Sequence, residues 1–546
     1  MSRLRIGGRV LPRWWPLAAI TLLAAVLRLS TLGQQSLWYD EAFTPVHVLR
    51  ASLLTTLHNV VHTENTPPLW YVLEWAFTRV LGTGAVALRL LSALAGIATV
   101  PVAWLIGREL AGRRAAIATA SFVAVNPLLV WYSQEARAYG LFVLSASLAL
   151  LCFLRALRDP STRHFAEFAL AASLALLTHY FAVFLLIGMV LWLLASAVSE
   201  GAVPEGPQRE GQPEERPSNK KNLKGTVVAV AIPVLVGLAL IPLVVAQGGH
   251  GTQWIGEWAL GSRLEAIPQY YLTGYTGAAL GHGIELLVAL VLLAGFVYGL
   301  WSTLTPREER GALIALSVLA GGVLIPVALA LVGVDYLAPR NLVASMVPLS
   351  ALLAIVIVAR RTGRVGAGLA ALAALAFFAL TIDIALSPRL QRGDWSGVAS
   401  VLRTRVPPPM LHPSARGGAI GAATAGGSAI AGGSANGGAT AGGSAIVTAQ
   451  LGSAPLEYYL PGLRELAPGM RTLLSEIDEV GYAPLRKDAQ QPPAPGFKLV
   501  ESRNVHGLIV YRFTSSAPVN VSGEVLLRSA ITEESRAEVL LPRHRR

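Results

Sequence analysis

RWWPLAAITLLAAVLRLSTLGQQSLWYDE, residues 13–41, joins an apolar run long enough to enter a membrane to two adjacent carboxylates, Asp40 and Glu41. Arg3, Arg5, Arg9 and Arg13 precede the run. Positive charge is retained on the cytoplasmic side, so the sequence predicts a cytoplasmic N-terminus and carboxylates that emerge on the outer face. No small-residue cleavage site follows, and Arg28 interrupts the end of the run, which reads as an uncleaved anchor.

The rest of the chain agrees with a membrane reading. It has 546 residues, 53% hydrophobic and 14% charged, with mean hydropathy +0.54. Soluble domains carry about a quarter charged residues, so composition predicts a polytopic helical membrane protein. The net charge of +12 does not argue for nucleic acid, because Lys and Arg fall mainly in short loops between apolar runs. Its one cysteine, Cys152, lies inside an apolar segment and rules out an intramolecular disulfide.

Apolar stretches of about 20 residues predict spans near 14–32, 84–107, 115–132, 138–157, 165–178, 181–198, 226–246, 283–302, 312–332, 341–358 and 365–386. That makes about 11 helices, with 13 as the upper bound. PPLWYVLEWAFTRVLG, residues 67–82, is shorter, opens on two prolines and contains Glu74 and Arg79. As an interfacial helix on the outer face it leaves every basic loop inside: Arg108/Arg113/Arg114, Arg155/Arg158/Arg163, Lys220/Lys221/Lys224, Arg307/Arg310 and Arg360/Arg361/Arg364. The transmembrane domain is then 14–386, with a first outer loop at 33–83 and a cytoplasmic linker at 199–225 rich in Pro, Glu, Gln and Lys. Residues 387–519 predict a small outer α/β domain, with a helix at 394–405 and strands at 445–451 and 497–514. A Gly/Ala/Ser insertion at 415–446 and a tail at 520–546 are expected to be disordered.

The polar residues that gather on the outer side are the candidates for chemistry. Asp40 and Glu41 fit an active site, though Asp40 also suits an N-cap with Glu41 at the positive end of the helix dipole. Glu135 and Arg137 follow the third span; an exposed pair there is worth about 0–1 kcal/mol, which favours a second active-site carboxylate. Arg340 and His179 sit at outer helix ends, where a cation suits a phosphate, with Arg89 a weaker third. Glu64 closes the first outer loop. His58 and His62, one helical turn apart, have a zinc-like spacing without the H-E-x-x-H pattern, and a polar helix face accounts for them better. Trp254, Trp258, Tyr270 and Tyr271 read as an aromatic belt.

Taken in order, these segments resemble the GT-C-type lipid-dependent glycosyltransferases, in particular the bacterial group related to protein O-mannosyltransferases and to the transferase that places aminoarabinose on lipid A. The resemblance runs over roughly residues 14–400. It is carried by LRLSTLGQQSLWYDEAFT, ENTPPLWYVLEWAFTRVLGTGAVALRLLSALAG, GRELAGRRAAIATASFVAVNPLLVWYSQEARAYGLFVL, LTHYFAVFLL and YLAPRNLVASMVPL. It implies transfer of a sugar from a polyprenyl-phosphate carrier to a protein, glycan or lipid acceptor outside the membrane. Under the resemblance Asp40 would lie at the reaction centre with Glu135 as a second acid, and Arg340 and His179 would hold the carrier phosphate; the residues themselves add Glu41 to the catalytic candidates and Arg137, Glu64 and Arg89 to the substrate-binding ones. Two departures stand out: Asn65-Thr66 where relatives often have Lys or His, and Asn341 where Tyr is common.

No cofactor is expected, although Asp40, Glu41 and Glu135 would suit a shared Mn or Mg ion if they converged. Two other classes compete. A transporter or flippase of lipid-linked sugars predicts inverted repeats and mid-membrane charges, which the sequence lacks. A degenerate scaffold would have little reason to keep Asp40, Glu41, Glu135 and Arg340.

Overall fold

A computed structural model describes residues 5–6, 9–10, 14–199, 219–275, 280–403, 443–532 and 537–542. Two units result: Met1–Gln35 with Asp40–Arg392, and Ser36–Tyr39 with Gly393–Arg546.

The larger unit opens on a short hairpin, β1 (Arg5–Ile6) and β2 (Arg9–Val10), followed by α1 (Trp15–Leu29) and α2 (Tyr39–Phe43). Next come α3 (Leu53–Thr63), α4 (Leu69–Leu81), α5 (Ala85–Ala111), α6 (Arg113–Val125), α7 (Pro127–Ser133) and α8 (Tyr139–Arg158). Then follow α9 (Thr162–Thr178), α10 (Ala182–Ser199), α11 (Asn219–Ala246), α12 (Gln253–Glu257), α13 (Leu260–Thr273) and α14 (His282–Trp301). The unit ends with α15 (Pro306–Leu331), α16 (Met346–Ile357) and α17 (Gly363–Leu386).

Each of the eleven expected apolar stretches is helical. Among the described residues, seven helical segments are long and apolar enough to cross a membrane, or eight if the bent pair α6–α7 counts as one. Helices α1 and α10 are apolar but shorter. Helix α4, at 13 residues, is only about 20 Å long and cannot cross a hydrocarbon core of about 30 Å.

The basic loops meet at one end of this unit. Arg114 donates to the Arg360 carbonyl at 3.3 Å, Arg307 to the Arg108 carbonyl at 3.0 Å, and Arg158 pairs with Glu109 at 2.5 Å. At that end Thr305 and Glu308 form a reciprocal capping box ahead of Pro306, which starts α15. The other carboxylate oxygen of Glu308 accepts from the Arg360 amide at 2.6 Å.

A 57° bend separates α6 from α7. Pro127 has no N–H, so the Val123 carbonyl loses its helical donor, and the bend interrupts the ladder at the Ala124 carbonyl as well. Arg28, buried in α1, supplies them: its guanidinium donates to Ala124 O at 2.8 Å and Val123 O at 3.1 Å, while Nε donates to Ser133 Oγ at 3.2 Å. Gly96 of α5 leaves the room, since a Cβ there would lie 2.9 Å from Arg28 Nε. Asn126 then caps α7 by accepting from the Leu129 amide. The arginine that looked like an interruption of the first span is the part that completes a broken one.

The smaller unit is a six-stranded mixed sheet in the order β4-β8-β3-β5-β7-β6. Its strands are β3 (Gly443–Ala449), β4 (Leu463–Glu465), β5 (Arg471–Tyr482), β6 (Phe497–Val505), β7 (Leu508–Ser522) and β8 (Ala537–Pro542). Helices α18 (Trp395–Arg403), α19 (Ser453–Tyr459) and α20 (Gly523–Arg528) complete it. Alternation builds two cores. Ala445, Val447, Val539 and Leu541 face one; Ile446 and Leu540 face the other with Val398 of α18 and Leu456 of α19. Asp478 and Arg512 are direct cross-strand partners, bonded at 2.7 Å in the interior.

This corrects the expected domain layout at several points. The smaller unit starts at Gly393, not 387, and takes Ser36–Tyr39 as well. The segment from 520 is not a disordered tail over its described part: β7 continues to Ser522, α20 follows, and β8 lies inside the sheet between β4 and β3. Its AEVLLP is short, but both faces of the run are buried, so it packs where a longer polar tail would not. Residues 443–446 of the expected insertion belong to β3, and 219–225 of the expected linker belong to α11. Residues 200–218 of the linker, 415–442 of the insertion, residues 1–4 and the last four residues lie outside the described set.

Candidate active site

The end of the larger unit opposite its basic loops collects carboxylates and arginines from five places. These are the α1–α2 connection and α2 itself, the start of α5, the α7–α8 turn, the 3-10 turn Pro339–Ser345, and Arg392 at the unit's C-terminal boundary.

Glu41 is fully buried and triply held. Arg89 grips both its oxygens at 2.7 and 2.6 Å, Arg392 donates to Oε2 at 2.7 Å, and the Ala136 amide donates to Oε1 at 2.9 Å. Burial opposes ionisation, but the two arginines outweigh it and hold the carboxyl below its ordinary range. Arg89 also donates to the Leu32 and Gln35 carbonyls. It therefore anchors the α1–α2 connection and is not presented to a phosphate, contrary to its expected role.

Arg392 bridges two acids. Its other terminal nitrogen donates to Glu135 Oε2 at 2.6 Å, and its guanidinium lies 4.6 Å from the Trp131 ring centroid. Trp131 in turn stacks on Tyr275 at 5.5 Å. Glu135 is buried, and its Oε1 meets no hydrogen-bond partner among the described residues. Burial pushes its pKa up to about 7; Arg392 pulls it down, Glu41 and Asp40 push it up, and Arg340 pulls it down.

Asp40 differs from both. It lies in the first turn of α2 and does not cap it, since the helix starts one residue earlier. Its Oδ2 accepts from Arg340 at 2.8 Å, and each partner is 20% exposed, against 0% for Glu41 and 1% for Glu135. Asp40 is the carboxylate of the three that an incoming molecule reaches. Arg340 lies 4.9 Å from the centroid of Trp254, so that ring is a guanidinium support and not simply part of a belt. Tyr271 is likewise interior, its hydroxyl bonded to Ser345 and to the Leu342 carbonyl.

Glu64 and Arg137 form a buried pair at 2.9 Å, and Tyr71 donates to the same carboxylate at 2.5 Å. Glu64 thus orients Arg137. His179 is buried between aromatic rings, 4.5 Å from Phe142 and 5.9 Å from Tyr139. Burial, together with the charges of Arg340 and Arg137, depresses its pKa to about 3. It is a neutral imidazole, not the phosphate-binding cation expected of it. Its Nδ1 accepts from the Phe181 amide at 3.3 Å, which leaves the hydrogen on Nε2.

Among the described residues no group of three His, Cys, Asp or Glu is placed to hold an ion. Asp40, Glu41 and Glu135 are each paired with an arginine. His62 bonds to the His58 carbonyl at 2.8 Å, and Glu64 is committed to Arg137.

Sequence reasoning missed Arg392 and the support from Trp131 and Trp254. Arg392 stands just after the last span in QRGDW, and a lone arginine there reads as a topological charge.

Residues 65–203 match the family described as dolichyl-phosphate-mannose-protein mannosyltransferase. Comparison with curated protein sequences finds no match. Among solved structures, ArnT from Cupriavidus metallidurans bound to undecaprenyl phosphate is similar with TM-score 0.52 and 11% identity, over 92% of this chain and 98% of that one. The Archaeoglobus fulgidus oligosaccharyltransferase in complex with Zn and sulfate is similar with TM-score 0.43 and 16% identity, over 71% of this chain and 55% of that one. The S. cerevisiae Pmt1–Pmt2 complex bound to the sugar donor gives TM-score 0.33 and 16% identity, over 44% and 33%. The likeness to ArnT shows a shared fold along most of both chains.

Proposed function

We propose that this chain, a membrane glycosyltransferase of the GT-C type related to the mannosyltransferases and ArnT, moves a sugar from a polyprenyl-phosphate carrier to an acceptor at the carboxylate-bearing end of its larger unit. The observation that carries the reading is the Asp40–Arg340 pair. It sets a reachable carboxylate against a guanidinium, and the two halves of the reaction need one of each.

The chemistry follows. The acceptor hydroxyl attacks the anomeric carbon from the face opposite the phosphate and gives its proton to Asp40. The new carbon–oxygen bond forms as the bond to the phosphate oxygen breaks, and the anomeric centre inverts. Polyprenyl phosphate leaves as an anion, so no acid need protonate it. Arg340, braced on Trp254, meets the growing phosphate charge with a planar pair of donors. The Nε2–H of neutral His179 and the guanidinium of Arg137 are further donors beside it. When phosphate engages Arg340, Asp40 is released from its ion pair to act as base. No step runs through a metal ion.

The carrier's tail needs an apolar seat. A groove of about 590 Å³ between α9, α10 and α11 is lined by Phe168, Leu176, Val183, Leu186, Val234 and Tyr180, the neighbour of His179. That ArnT binds undecaprenyl phosphate on the same fold supports the donor class. The outer face of the cell membrane, with the N-terminus in the cytoplasm, is the side we assign to the reaction, because the basic loops gather at the opposite end.

The test is release of free polyprenyl phosphate, followed by mass spectrometry. Purified protein in lipid vesicles is given a panel of polyprenyl-phosphate sugars and a membrane extract as acceptor source. Release by the native chain that disappears in Asp40→Asn is the expected result. Turnover that survives Asp40→Asn overturns Asp40 as the base, and transbilayer movement of intact donor without bond cleavage overturns the transferase.

A further inference from the structure

The two units exchange the chain three times: between Gln35 and Ser36, between Tyr39 and Asp40, and between Arg392 and Gly393. All three passages flank active-site groups. The four residues Ser36–Tyr39, which lead directly into Asp40, belong to the smaller unit.

Within that unit they are tied by hydrogen bonds. Ser36 Oγ donates to Asp394 Oδ1 at 2.7 Å and accepts from the Ser396 amide at 3.2 Å. The Leu37 amide donates to the Tyr459 hydroxyl at 2.8 Å. Asp394 is itself fixed. It accepts from Ser396 Oγ at 2.8 Å and from the Gly397 amide at 2.9 Å, which caps α18, and His506 Nδ1 lies 3.4 Å from its other oxygen. Leu37 is fully buried.

On the other side of Asp40, Glu41 is locked by Arg89, Arg392 and the Ala136 amide. The chain is therefore tied at Ser36 and Leu37 before Asp40 and at Glu41 just after it, while the Asp40 side chain, in contact with Arg340, is the part left to react. A helix of five residues cannot hold this geometry alone.

We propose that Ser36, Asp394 and Tyr459 are positioning residues for Asp40, acting through the chain segment that leads into it. This rests on the reading of Asp40 as the base.

Ser36→Ala and Tyr459→Phe in the full-length protein each remove one hydroxyl and no more. Two readouts decide the matter. The first is amide exchange in peptides spanning residues 36–43, where loss of the tie is expected to speed exchange at Leu37 by about tenfold or more. The second is polyprenyl phosphate release. There kcat is expected to fall about 10- to 100-fold while KM for the donor and the melting temperature hold, since misplacing a reacting group by about 1 Å costs that much. Ser36→Thr, which keeps the hydroxyl, is expected to restore both. Variants that exchange like the native chain, or that exchange faster yet keep native kcat, overturn the proposal. If the native protein releases nothing from any donor, the transferase reading has failed, and positioning of a catalytic Asp40 falls with it. Exchange at Leu37 then still reports whether the tie exists.

Discussion

Glu135 is the group whose ionisation should be visible in a rate. It is buried with a pKa pushed up to about 7, and Arg392, Glu41, Asp40 and Arg340 set its charge environment, with Tyr132, Tyr139 and Tyr275 alongside. Below that pH it is neutral and its hold on Arg392 weakens; above it the carboxylate forms. We expect kcat/KM to rise with pH through a limb near 7, and Glu135→Gln to remove the limb. Arg392→Met withdraws the cation that favours the ionised form, so the limb should move to higher pH with activity lowered at neutral pH. A profile unmoved by either substitution would leave Glu135 outside the reaction. The acids themselves were legible in the sequence, because a carboxylate at a helix mouth asks for a reason. Their division of labour was not. Burial and the choice of arginine partner separate a partly exposed Asp40 from a fully buried Glu41, and both depend on chain segments some 300 residues away. Likewise His179 was legible as a polar residue at a span end, but its neutrality comes from Phe142, Tyr139 and Arg340 packed around it.

Two elements carry polar groups that their sequences make look out of place. Arg28 satisfies carbonyls that the break at Pro127 leaves without donors, and α7 then ends at Ser133, two residues ahead of Glu135. Arg28→Met should leave two buried carbonyls unpaired, at about 1–3 kcal/mol each. The expected outcome is a lower melting temperature in detergent and a larger loss of kcat than of donor affinity, because the disturbed helix leads into the turn that carries Glu135. A native melting temperature in that variant would mean the break satisfies itself. Glu74 on α4 presents the reverse case. It is buried, neither oxygen has a hydrogen-bond partner among the described residues, and burial lifts its pKa to about 8. A raised pKa stabilises the fold while both states are protonated, below the unfolded value of about 4.3, and that contribution is lost as pH rises towards 8. The melting temperature of the native chain should therefore fall between pH 5 and pH 8 by more than that of Glu74→Gln; parallel curves would show Glu74 to be ionised or solvated. The existence of α4 was readable from its two prolines and the helical run behind them. That its one acid faces inwards was not, since an apolar face and a juxtamembrane face look alike in a 13-residue helix.

For the whole molecule, the helical body was readable from hydropathy and the placement of arginines, because each span is specified locally by about 20 residues. The smaller unit was only half readable. Its β6–β7 hairpin and α18 alternate clearly, while β5 hides Asp478 and Glu479 in its interior and β8 is six residues long. Long-range pairing, β3 beside both β5 and β8, makes those strands, and no local window contains it. Orientation in the membrane is the expectation that follows from the whole distribution of charge. Arg108, Arg114, Arg158, Arg307 and Arg360 come from four loops that touch one another, so they lie on the same side. The potential that retains positive loops in the cytoplasm then assigns the opposite end, with Asp40 and Arg340, to the outside. The single cysteine makes this directly measurable. In a Cys152→Ser background, Thr83→Cys marks the connection between α4 and α5 and Glu309→Cys the basic end, both at exposed positions. A membrane-impermeant maleimide applied to intact cells should label Thr83→Cys at once and Glu309→Cys only after permeabilisation. The reverse pattern would place the carboxylates, and with them the reaction, on the cytoplasmic side. Labelling of both before permeabilisation would mean that one of α5, the α6–α7 pair, α8, α9, α10, α11 or α14 does not cross, since the chain must change sides an odd number of times between residues 83 and 309.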